Sequence, residues 1–203
     1  MAAPRDTADP RLALEPAPAH AKWLLFALSV ALPLVLVVVL PQAGGGEGPA
    51  GLHLGAALGI AVLLLAVFVL MLAMMRRHRL LHDAAGIELA TTFYTRRLAW
   101  PELRLQDARV VSLDERTELK PSLKSNGMSL PGFRSGWFRS RHLKKLLVAT
   151  AGGDRVLWLP TTRDFDLLLQ PRNPRAALDR LRELAAMAPE RQRNRNGNVA
   201  HKV

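Results

Sequence analysis

The stretch LGAALGIAVLLLAVFVLMLAMM, Leu54–Met75, contains no charged residue. At about 1.5 Å per residue, a helix of this length matches the ~30 Å hydrocarbon core of a bilayer. A core helix of a water-soluble protein keeps a polar stripe, whereas here every face is apolar. LLFALSVALPLVLVVVL, Leu24–Leu40, is a second charge-free run, interrupted only by Ser29 and Pro33. It exceeds the roughly 7–15 residues of a signal-peptide core, and acids as well as bases precede it. The expectation is a transmembrane helical hairpin over residues 22–79, with cleavage after Ala43 as the alternative for the first run.

The distribution of Lys and Arg orients such a hairpin. The connector PQAGGGEGPAGLH has neither, RRHR (Arg76–Arg79) follows the second run, and Arg5, Arg11 and Lys22 precede the first. Both termini are therefore expected in the cytoplasm, with the chain integral to an inner (plasma) membrane. Trp23 stands where an interfacial aromatic belongs. Gly55 and Gly59 form a G-x-x-x-G, the spacing that lets two helices approach closely.

Residues 1–21, rich in Ala and Pro, read as a disordered tail, and the basic PERQRNRNGNVAHKV of residues 189–203 reads as another. Between them, residues 80–188 have the size of one domain. Its pattern is mainly β. GIELATTFY, Gly86–Tyr94, alternates as one strand. ARVVSLDE is another. LLVATAGGDRVLWLPT reads as a hairpin turning at Gly152-Gly153-Asp154, and Phe165–Leu169 as a further strand. Asn173 and Pro174 then open an amphipathic helix of roughly 14 residues, with Leu178 and Leu181 on its apolar stripe and Pro189 as its stop. Antiparallel strands closed by one helix make a coherent plan.

NGMSLPGFRSGWF is similar to an N-G…P-G…G-x-F pattern in a family of bacterial PH-like (pleckstrin-homology-like) membrane proteins. The pattern falls on Asn126, Gly127, Pro131, Gly132, Gly136 and Phe138. WLPTTRDFDLLLQPRNPRAALDRL resembles the end of the same domain, so the likeness spans roughly Gly86–Leu184. The resemblance implies a partly open β-barrel or sandwich closed by a C-terminal helix. Its motif residues belong to turns and core, so it implies no catalytic role. Arg96, Arg97 and Arg104 do not align with an inositide-binding signature, and that ligand is not carried over.

The segment SNGMSLPGFRSGWFRSRHLKK, Ser125–Lys145, lacks the G-x-x-x-x-G-K-S/T of a phosphate loop. Trp137 and Phe138 are adjacent, so on a strand they point to opposite faces. One belongs to a core, and Trp137 is the candidate surface anchor. With Arg134, Arg139, Arg141, Lys144 and Lys145 it makes a candidate surface for anionic lipid or a protein partner; a solvated basic face is the plain alternative. From Arg76 onward the chain carries 25 Lys and Arg against 13 Asp and Glu. The absence of cysteine excludes disulfides and thiolate metal sites. His78 and His82, four apart, could share a helix face but match no metal motif, and no nucleophile, kinase or dinucleotide signature appears. The expectation is a membrane-anchored, non-catalytic module without cofactor, meeting lipid, another protein or a second copy of itself. A nucleic-acid-binding module and a small assembly or transport subunit are the competing readings.

Overall fold

The computed structural model describes the backbone over residues 9–43 and 50–200 and the side chains over 9–37 and 55–188. The first apolar run is helical from Ala19–Phe26 (α1) through a π-helical turn at Ala27–Ala31 into Leu32–Ala43 (α2). Pro33 explains the turn: it has no N–H for the carbonyl of Ser29, and the ladder shifts register there. Leu32 N–H reaches back to the Ala27 carbonyl, while Ser29 Oγ donates to Leu25 O at 2.6 Å. The second run is helix α3, Ala50–Met75. Both are long and apolar enough to cross a membrane, and only 11% and 6% of the two spanning windows is buried. Phe26 meets Phe68 edge-on, with ring centroids 5.3 Å apart. Among the described residues, a Cβ at Gly55 or Gly59 would meet nothing within 4 Å.

Two sheets follow. Arg79–His82 (β1), Gly86–Ala90 (β2) and Thr95–Ala99 (β3) form an antiparallel meander. The expected single strand Gly86–Tyr94 therefore stops at Ala90. Thr91 closes a turn there, its Oγ1 donating to Tyr94 O and accepting from Tyr94 N–H. The β-preferring residues Thr91–Tyr94 conceal that turn from a periodicity argument.

The larger sheet comprises Arg109–Ser112 (β4), Pro121–Leu130 (β5), Phe133–Ser140 (β6), Lys145–Thr150 (β7), Arg155–Leu159 (β8) and Phe165–Leu169 (β9). Its order is β4-β8-β9-β7-β6-β5. β7 and β8 are thus not the expected hairpin. β9 lies between them, parallel to β7 and antiparallel to β8, so the sheet is not wholly antiparallel either. Every residue of β9 is buried, and a strand covered on both faces belongs at a sheet's centre. The Gly152-Gly153 segment bends around the end of β9: Ala151 and Gly153 N–H both donate to Gln170 Oε1, at 2.8 and 3.1 Å. The two sheets do not close into a barrel.

One face of the large sheet packs Trp137, Leu147, Leu157, Leu167 and Leu169 against Ile87, Leu89 and Leu98 of the small sheet and against helix α4. The other face gathers Val111, Phe138, Leu146, Val148, Val156 and Leu168, with Leu113 and Leu119 from the β4–β5 connection. Helix α4 spans Pro174–Ala200, with Asn173 Oδ1 accepting from Ala176 N–H. It continues past Pro189 rather than ending there, and Glu, Gln and Arg beyond the proline favour continuation. The expected tail from residue 189 is thus helical in backbone to Ala200.

The N-terminal tail is also corrected from residue 9 on; residues 1–8 lie outside the described residues. Asp9 caps a 3-10 turn at Pro10–Leu12, and its carboxylate accepts from Arg180 Nε of α4 at 2.6 Å. Leu12 and Leu14 enter the main core. Glu15 N–H donates to Gln170 O, and Arg172 N–H to Ala13 O, so this strap is hydrogen-bonded beside the end of β9. Two leucines among prolines and alanines show no period, which is why composition misreads them.

Candidate functional site

The resemblance motif lies at the junction of the β-domain with the apolar helices. Pro131 and Gly132 form the turn joining β5 to β6, where Gly132 takes a positive φ of 72° beside the fixed φ of proline. That turn rests on Pro18 and His20. Phe133, the first residue of β6, packs with Ala17, Ala21 and Met75, and Met128, Leu130, Leu25 and Leu72 surround this cluster. Gly127 faces Gly136 across the hairpin, where a Cβ on Gly127 would strike the Ser135 backbone. Asn126 is exposed on edge strand β5, and Phe138 is core.

His78 belongs to the same junction. Helix α3 ends at Met75 and a strand begins at Arg79, so His78 and His82 do not share a helix face. The His78 ring stacks on Phe133 at 4.8 Å, and its Nε2 lies 2.6 Å from Ser135 Oγ. Ser135 Oγ also accepts from Thr92 N–H at 2.9 Å. Burial pushes the His78 imidazole down to about 4, so near neutral pH it acts as a hydrogen-bonding group and not as a charge. No group of three or more metal-ligating side chains occurs among the described residues.

The structure divides the predicted basic surface. Arg134 lies near the junction, one residue from Phe133, while Arg139, Arg141, Lys144 and Lys145 cluster around the β6–β7 turn at the opposite end of the strand. At about 3.3 Å per residue, Arg139 is roughly 20 Å along β6 from Phe133. Trp137 is not a surface anchor. It is buried in the main core, edge-on to Phe165 at 5.0 Å, with Lys145 Nζ 4.8 Å from its ring centroid. The strand does send Trp137 and Phe138 to opposite faces, but both faces are covered.

Two of the tip cations have acidic partners. Lys145 Nζ bonds Asp164 at 3.0 Å and holds that carboxyl below its usual range. Lys144 Nζ sits 2.6 Å from Asp166, whose side chain is 1% exposed and also accepts from Trp158 Nε1 and Thr161 N–H. Arg139 and Arg141 remain outward, Arg139 donating to the Leu143 carbonyl at 3.5 Å. Leu143 has a φ of 60° and is 59% exposed; Leu123, opposite Arg139, is 56% exposed. These two exposed leucines are what the sequence did not reveal, because Leu123 sits in a strand pattern and Leu143 in a turn.

A second feature lies between the strap and the helix ends: a cavity of about 230 Å³ bordered by Glu15, Lys22, Leu72, Met75, Arg76 and His78 among others. Trp23, 71% exposed, follows Lys22. No protein-family model matches this chain, and searches of curated proteins and of solved structures found no match.

Proposed function

We infer that the protein is a membrane-anchored, non-catalytic adaptor whose PH-like domain faces the cytoplasm and offers the β6–β7 tip to a protein partner. The supporting observation is the tip itself. A non-glycine residue at positive φ and an exposed leucine are both unfavourable locally. Both occur at Leu143, flanked by Arg141, His142 and Lys144, and a second exposed leucine, Leu123, lies on β5 opposite Arg139. An acidic partner segment with an apolar side chain would satisfy both the charge and the exposed leucines.

The position of the tip favours a protein over the protein's own leaflet. The separation of roughly 20 Å from the junction exceeds the ~8–10 Å over which charges act in physiological salt. The nucleic-acid reading loses support, since Trp100, Trp137, Phe133, Phe138 and Phe165 are buried and a stacking platform needs exposed rings.

A photo-crosslinking residue replacing Arg141 in the full chain should give one discrete adduct in intact cells. Arg139→Glu together with Leu143→Gly should weaken that adduct about tenfold or more. The same probe replacing the remote, exposed Asp179 should give none. An identical adduct pattern at the two positions, or an Arg141 adduct unchanged by the two substitutions, would contradict the tip assignment.

A further inference from the structure

The cavity beside the helix ends is separate from the tip and has its own chemistry. Leu72 and Met75, at the end of α3, supply apolar wall. Glu15, Lys22 and Arg76 supply charge, and His78, kept neutral by burial, completes the lining. Elsewhere in the domain Arg97, Arg163, Arg180, Lys144 and Lys145 have carboxylate partners. Among the described residues, Lys22 and Arg76 have none. Lys22, Arg76 and Glu15 line the same cavity, so its two cations outnumber its one carboxylate, and a bound phosphate brings the charge of the site toward balance. Lys22 stands in the first turn of α1 and Arg76 directly follows α3, the level at which lipid phosphates meet a transmembrane helix.

We propose that this cavity binds the phosphate of one membrane phospholipid. Lys22 and Arg76 pair with the phosphate oxygens, and the acyl chains leave along the exposed apolar surface of α3. Glu15 selects the headgroup: its carboxylate accepts a hydrogen bond from an ethanolamine ammonium or a glycerol hydroxyl. Choline has neither an N–H nor an O–H to donate. The inference rests on the two helices crossing a bilayer and is independent of the partner proposed for the tip.

The full chain, extracted from membranes in mild detergent and stripped of lipid, is mixed with phosphatidylethanolamine, phosphatidylglycerol, phosphatidylcholine or inorganic phosphate. Retained molecules are counted by native mass spectrometry. One ethanolamine or glycerol lipid should remain per chain, at least about tenfold more than the choline lipid, a ratio that one or two charge-assisted hydrogen bonds supply. Lys22→Gln with Arg76→Gln should reduce retention by a similar factor, while Arg77→Gln with Arg79→Gln should leave it unchanged. Equal retention of the choline lipid, or retention unaffected by the Lys22 and Arg76 changes, would overturn the proposal. Retention of inorganic phosphate without lipid would overturn the lipid source. If the chain washes off membranes in alkaline carbonate, the anchoring reading itself fails; an integral chain that retains no lipid overturns this inference alone.

Discussion

Replacing Leu181 with Ala should cost about 2–5 kcal/mol of stability, a large share of the ~5–15 kcal/mol that holds a typical domain together. Leu181 is fully buried, and with Ala177, Leu178 and Leu184 it forms the stripe by which α4 covers the large sheet. The truncation would leave a cavity between layers that cannot collapse, because the sheet is also fixed by its other face. Asp179→Ala, on the exposed side of the same helix, should stay within about 0.5 kcal/mol of the parent. Urea midpoints of the full chain in mild detergent, followed by tryptophan fluorescence, measure both. Equal midpoints for the two variants would mean that α4 is not part of the core.

The second large effect is expected at Asp166. Its carboxylate accepts from Trp158 Nε1 at 3.0 Å and from Thr161 N–H at 3.3 Å, and it pairs with Lys144. Asp166→Ala leaves the buried Thr161 N–H and the half-buried Trp158 indole N–H without an acceptor and should cost about 2–4 kcal/mol. Asp166→Asn keeps one oxygen but turns an amide toward the other donor, so it should fall between Ala and the parent. The same urea titration gives the order. If Asn proves as damaging as Ala, the Lys144 charge pair and not the hydrogen bonds carries the stability. If neither shifts the midpoint, the buried carboxylate is dispensable.

The parts of this fold written in local pattern were legible. The two long apolar helices follow from charge-free length, the mainly-β domain from its apolar runs, and the start of α4 from Asn173 and Pro174. Long-range pairing was not. Nothing near Gly152-Gly153 says that β9 will enter between β7 and β8. The clue is remote: Phe165–Leu169 is apolar at nearly every position and needs cover on both faces. The strap failed for a different reason. Its order comes from Asp9 meeting Arg180 and from Leu14 meeting Pro171, partners about 160 or more residues away. At the candidate surface, sequence proximity grouped Arg134 with Arg139, but a strand separates its two ends. The composition of the stretch could not show that Lys144 and Lys145 meet Asp166 and Asp164, nor that Leu143 takes a positive φ at the tip.

The account stands or falls on a domain held at the cytoplasmic face by two spans. Because the chain has no cysteine, single cysteines can be introduced at Gly45, between the spans, and at Ser125, on the exposed edge strand. Intact cells are treated with a membrane-impermeant maleimide before and after the membrane is opened. The Gly45→Cys chain should label in intact cells, and the Ser125→Cys chain only once the membrane is open. Labelling of Ser125→Cys in intact cells, with Gly45→Cys protected, would place the domain on the other side and contradict the account.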